Sequence, residues 1–200
     1  MKRKILCGRC GKRTSPVFVK REIRELEQNY SDRKQRFDVS LIAGVKRCRY
    51  GKIQVIICRP FSRKARPFPT TFWLVCPYLI KLAGKIESSG GVHELEEFII
   101  THNLVHEWRK YNILHQVIRL KLSGKFTNKF MFKFKRKIFR EVMRGGIGGI
   151  RASEGVNVKC LHLQTASFIA LGHHPAGEWL RSKGLCEDCG KNICGGKIIV

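Results

Sequence analysis

Thr70-Thr71-Phe72-Trp73-Leu74-Val75-Cys76-Pro77-Tyr78-Leu79-Ile80-Lys81-Leu82-Ala83 contains the change of period that decides the fold. Up to Val75 it reads as a short strand, preceded by a loop whose Pro60, Pro67 and Pro69 cannot be helical. Pro77 suits the first turn of a helix, and Leu79, Ile80, Leu82, Ala83 and Ile86 carry that helix to Gly90-Gly91. Upstream, Leu41 to Cys48 and Lys52 to Cys58 read as two strands turning at Arg49-Tyr50-Gly51. The β-branched run Ile53-Gln54-Val55-Ile56-Ile57 is too short for a free-standing helix. Downstream, residues 92–119 predict one long helix, with Leu95, Phe98, Ile99, Val105, Trp108, Tyr111 and Ile118 at three- and four-residue steps. Residues 126–143 predict one basic amphipathic helix, because Phe130, Phe134, Ile138 and Val142 recur every fourth position beside Lys129, Lys133 and Lys137. The run Gly145-Gly146-Ile147-Gly148-Gly149 fits no phosphate-loop register and reads as a hinge or a close backbone contact. Two more helices are expected, one from the Cys160 region through Ala170 and one from His174-Pro175 through Leu180. A short charged helix is expected over residues 19–28.

The expectation is an α+β fold: a small antiparallel sheet followed by a mostly helical body. Residues 40–182 form its single core domain. Residues 1–39 are a basic extension with a Cys-x-x-Cys knuckle, and residues 183–200 carry a second knuckle that packs near the first.

The 200 residues carry forty Lys and Arg against fifteen Asp and Glu, a net charge of +25. A hydrophobic content of 43% with twelve Phe argues against a disordered basic tail. The longest apolar run, Phe72 to Ile80, is half of what a bilayer span needs, so no transmembrane segment is expected. Cys7-Gly8-Arg9-Cys10 ends any hydrophobic stretch after Met1-Lys2-Arg3-Lys4, so no secretory signal is expected and a cytoplasmic location is the expectation.

Nine Cys in a chain without export signals suggest reduced thiols or metal ligands rather than disulfides. Cys7-x-x-Cys10 and Cys186-x-x-Cys189 both run on into Gly-Lys, a tight turn that frees amides for thiolates. Together they supply the four sulfurs of a tetrahedral zinc site clasping the termini. The separation far exceeds the 15–20 residues or so usual between such pairs. Separate sites, with Cys194 as a third ligand beside Cys186 and Cys189, and redox dithiols therefore stay open.

Strand counting places Cys48 and Cys76 at one end of an up-down-up meander and Cys58 at the other, about 20 Å away. Cys160-x-His162 then completes a Cys48/Cys76/Cys160/His162 set, a recognised zinc combination. A silent thiol cluster and a catalytic Cys160–His162 pair are the competing readings. His102 and His106 read as part of a solvated face, and His173-His174 as a turn and helix cap. One or two zinc ions are expected, ahead of an iron–sulfur cluster.

Pro67-Phe-Pro-Thr-Thr-Phe-Trp-Leu-Val-Cys76-Pro77 and Val158-Lys-Cys160-Leu-His162 resemble the two signature stretches of an uncharacterised bacterial family, domain of unknown function 501. The likeness takes in Val45-Lys46-Arg47-Cys48 and Pro175-x-Gly177, and covers roughly residues 40–182. It departs where the family's pattern has a second Cys, at Tyr50. The resemblance implies a fold and candidate residues, with no established activity. The terminal knuckles lie outside it.

The charge is concentrated. Residues 1–66 hold twenty of the forty basic residues, and residues 119–144 hold ten against the single acid Glu141. A one-signed field of this kind attracts polyanions. Thermophile-like enrichment in Lys and Arg would bring Glu with it as ion-pair partners, which has not happened here. The leading expectation is a zinc-stabilised, cytoplasmic nucleic-acid-binding protein, with structured RNA favoured over DNA. Arg63, Lys64, Arg66, Lys129, Lys133, Arg136, Lys137 and Arg140 would contact phosphates. An anionic membrane surface is a minor alternative partner. The competing class is a metal- or thiol-dependent enzyme acting on a nucleotide or nucleic acid, with Cys160 and His162 as catalytic candidates.

Overall fold

The computed structural model describes residues 38–151 and 155–190. The expected helix over residues 19–28 and Cys7, Cys10 and Cys194 lie outside them.

Three antiparallel strands form a meander in the order β1-β2-β3: β1 Ile42–Arg47, β2 Ile53–Cys58 and β3 Phe72–Leu74. Ile42 lies opposite Cys58 and Arg47 opposite Ile53, while Val55 faces Leu74 on the other side of β2. Gly51, with φ of 76°, closes the first turn as its N–H bonds the Cys48 carbonyl at 2.9 Å.

Seven α-helices follow among the described residues: α1 Pro77–Ser88, α2 Gly91–Thr101, α3 Val105–Ser123, α4 Lys125–Phe134, α5 Arg136–Arg144, α6 Leu161–Leu171 and α7 Gly177–Ser182. α6 is the central element. Its Ala166 and Ala170 lie against Val55, Phe72 and Leu74 of the sheet, where small side chains permit close approach. Its Leu161 and Phe168 join Leu95, Ile99, Trp108, Tyr111 and Leu180 in the helical core. The architecture is thus the expected α+β arrangement.

Two expected helices are each divided in two. The span 92–119 breaks at His102–Leu104, where Asn103 adopts φ of 56° and the Leu104 N–H reaches back to the Ile99 carbonyl at 2.9 Å. Asn tolerates this left-handed geometry, which ends helices in the manner of glycine. The span 126–143 breaks at Lys135, whose φ of −136° and ψ of 44° are non-helical. The break also changes which face is buried. Met131 and Val142 point inward, whereas Phe130, Phe134 and Ile138, expected to form the apolar stripe with Val142, are exposed.

The glycine run after α5 is a site of close packing. A Cβ on Gly146 would collide with the Asn112 side chain. That side chain accepts from the Ile147 N–H at 3.0 Å and donates to the Trp108 carbonyl at 2.9 Å. Gly146→Ala is expected to cost about 1–3 kcal/mol through the forced displacement, read as a lowered melting temperature. An unchanged melting temperature would show that the loop yields.

Candidate nucleic-acid interface and metal centre

The loop between β2 and β3 is held by its own backbone. The Ser62 N–H bonds the Arg66 carbonyl at 3.1 Å, the Phe68 N–H bonds the Pro60 carbonyl at 2.8 Å, and Phe61 bridges to Pro67. Arg63, Lys64 and Arg66 are exposed around its tip, while Phe61 at its root is buried. Phe61 enters a cluster with Met131 of α4 and Val142 of α5, and its ring stacks at 6.3 Å on that of Phe139. This apolar plug lays the proline loop directly beside the α4–α5 pair. The two basic segments, more than sixty residues apart in sequence, therefore share one region of surface.

On α4 and α5, Lys129, Lys133, Arg136, Lys137 and Arg140 are all exposed. Aromatic rings are interleaved with them. Phe126 is 85% exposed and Phe134 63%, far more than a buried stripe would show. The Lys133 ammonium lies 5.2 Å from the Phe134 ring centre and the Arg136 guanidinium 5.1 Å from that of Phe132. Cations over ring faces next to open aromatic surface suit both phosphates and unstacked bases.

The cysteines divide differently from the sequence-based sets. Cys48 ends the β1–β2 hairpin and Cys76 caps α1. The C-terminal knuckle docks between them. Asp188 Oδ2 accepts from the Arg49 N–H at 3.0 Å, and Oδ1 accepts from the Gln54 amide at 3.2 Å. The Gln54 carbonyl in turn accepts from the Cys76 N–H at 3.3 Å. Cys189 is thereby brought to the sheet end where Cys48 and Cys76 lie. Burial pushes the Cys76 thiol up, and neighbouring Cys189 and Cys48 add to that in smaller measure. Cys58, opposite Ile42 at the far end of the sheet, is buried and pushed up to about 12.

Cys160 and His162 are elsewhere. Cys160 caps α6, whose first turn meets the last turn of α1, and α1 has twelve residues, about 18 Å of helix. Cys76 is at the opposite end of that helix. The Cys48/Cys76/Cys160/His162 quartet is therefore not assembled, because α1 holds its two halves apart.

Glu87, in the last turn of α1, is the partner that Cys160 and His162 find instead. Its Oε1 lies 2.9 Å from His162 Nδ1 and also accepts from the Leu161 and His162 N–H groups. The donor atoms of Glu87, Cys160 and His162 all lie within 4.8 Å of one another. A hydrogen bond to the Cys160 thiol, reinforced by the Glu87 carboxylate, lifts His162 to about 9. Sequence reading passed over Glu87, although it carried a signal. A carboxylate in the last turn of a helix opposes the macrodipole and calls for a partner, here the N-terminus of α6 and an imidazole.

A three-stranded meander under a central helix, with one basic aromatic surface and one mixed Cys/His/Glu cluster, defines a small α+β domain. Residues 44–182 match the family described as Protein of unknown function (DUF501), and the chain belongs to that family. No protein of curated function and no solved structure matches the chain. Among the described residues no helix is long and apolar enough to cross a membrane.

Proposed function

We propose that this protein binds nucleic acid in the cytoplasm, with structured RNA as its partner and zinc stabilising the scaffold. The observation that carries this reading is the Phe61 plug, which joins Arg63, Lys64 and Arg66 to Lys129, Lys133, Arg136, Lys137 and Arg140. Exposed Phe126, Phe130, Phe132 and Phe134 favour RNA over duplex DNA, because unpaired bases can stack on them whereas a duplex hides its faces. The stabilising zinc of this reading is the one expected at the Cys7, Cys10, Cys186 and Cys189 pairs, and the Asp188 bonds secure the described part of that set to the hairpin.

Fluorescence anisotropy with an RNA hairpin, repeated across salt concentrations, tests the proposal. Eight phosphate contacts predict a slope of about −7 in log affinity against log salt, and a loss of roughly 10⁴-fold between 50 and 200 mM. Combining Lys133→Glu, Lys137→Glu and Arg140→Glu should weaken binding and flatten that slope. Salt-independent binding would refute the interface. Equal affinity for duplex DNA would remove the RNA preference, and preferential binding to anionic vesicles would reassign the face to a membrane surface.

A further inference from the structure

The Glu87/Cys160/His162 cluster shares no residue with the basic face. We propose that these three side chains hold a divalent transition-metal ion, zinc by donor chemistry, with one coordination position left open to water or an anionic oxygen.

The donor set is one carboxylate oxygen, one sulfur and one imidazole nitrogen. Sulfur and nitrogen select zinc over magnesium or calcium, which prefer all-oxygen shells. Tetrahedral zinc with bonds near 2.0–2.3 Å places its donors about 3.3–3.8 Å apart. Atoms already within 4.8 Å of one another reach that spacing by small side-chain rotations. The backbone supports this closure, since Glu87 lies in the last turn of α1, Cys160 at the cap of α6 and His162 in its first turn. Hydrogen bonds from the Leu161 and His162 amides to Glu87 lock the two helix ends together. A site on rigid elements keeps its geometry better than one on loops.

The open position follows from the ligand count and from exposure. Among the described residues no fourth Cys, His, Asp or Glu joins the cluster. The His162 and Glu87 side chains are 32% and 24% exposed, so solvent reaches them. Three protein ligands with solvent access is the pattern of zinc sites that bind and activate water, whereas structural sites are closed by four. Helix capping by Glu87 explains the two amide contacts without a metal. The hydrogen bond between Cys160 and His162 accounts for the sulfur in the same way, and the two contacts together bring one oxygen, one sulfur and one nitrogen to a single point, which is what a metal requires.

Cobalt(II) and zinc titration of the full-length, chelator-stripped protein tests the assignment. Cys160→Ser and His162→Ala should each remove one equivalent of bound metal, together with the cobalt absorption that belongs to it. Cys189→Ser should leave that equivalent in place. Glu87→Gln retains an acceptor for the α6 amides, so it should weaken metal binding at least tenfold while far-ultraviolet circular dichroism is unchanged. Addition of azide should shift the cobalt spectrum. The same metal count in the wild-type protein and the Cys160→Ser/His162→Ala double variant, or no metal in either, would overturn the site. An azide-insensitive spectrum would overturn the open position.

Discussion

Arg119→Met is expected to destabilise the protein by about 3–5 kcal/mol, because four buried backbone carbonyls lose their shared donor. Arg119 lies in α3, is 1% exposed, and donates only to backbone carbonyls. Nη1 bonds the Val142 carbonyl at 2.9 Å and that of Gly145, while Nη2 bonds those of Pro69 at 2.8 Å and Gly146 at 2.6 Å. One planar fork thus ties the proline loop, the end of α5 and the glycine run to α3. Burial lowers the guanidinium to about 10, and it stays charged at neutral pH. Without it four carbonyls lose their donor, and each left dry costs about 1–3 kcal/mol. Arg119→Lys should recover little, because a point ammonium cannot span the same fork. Urea unfolding measures the effect. A methionine variant within about 1 kcal/mol of the wild type would show that water replaces the guanidinium. RNA affinity should fall alongside stability, since the proline loop and α5 would lose their common tether.

Acid should destabilise the fold well above the range in which carboxylates titrate. His115 and His174 are both buried, and burial lowers each from 6.5 to about 3. His115 Nε2 shares the Ser167 hydroxyl with Tyr111, at 2.7 Å each. His174 accepts from the Ala176 N–H at Nδ1, so its Nε2 donates to Gln164 at 3.0 Å. His174 cannot take a proton without losing this arrangement, and burial together with the Arg119 charge opposes a proton on His115, whereas in the unfolded chain both protonate near 6.5. Their contribution to stability is complete above pH 6.5 and falls as pH drops from there toward 3. At pH 5 the loss comes to about 2 kcal/mol for each histidine. In the chelator-stripped protein, where no metal competes for its nitrogen, His162 has the opposite sign. Raised to about 9, it contributes fully below pH 6.5 and loses that contribution as pH rises through 9. Denaturant midpoints measured from pH 4 to 9 should therefore peak near neutrality, and His115→Gln should flatten the acid limb. An acid limb unchanged in that variant would show that His115 does not titrate there.

The sheet could be read from the sequence because β-branched residues and prolines bracket it without ambiguity, and counting along the strands correctly put Cys48 and Cys76 at one end and Cys58 at the other. The two helix breaks could not be read. Asn103 is a weaker stop than Gly or Pro, tolerating the left-handed geometry without demanding it, and Lys135 carries no stop signal at all. The phenylalanines misled for a related reason. Phe130, Phe132 and Phe134 fit more than one period, and only the break at Lys135 decides that Met131 faces inward. The location of Cys160 depends on which end of α1 meets α6, a tertiary fact with no local signature. The basic residues were legible as a class, but their gathering onto one face rests on Phe61, which composition does not single out.

The helix Pro77–Ser88 has one further consequence. It acts as a spacer of about 18 Å between two chemically distinct ends, more than twice the roughly 8 Å over which charges are screened at physiological ionic strength. Changes of charge at solvent-facing groups on its two ends therefore couple weakly across that distance, whereas a shift of the rod itself would carry a change at one end to the other.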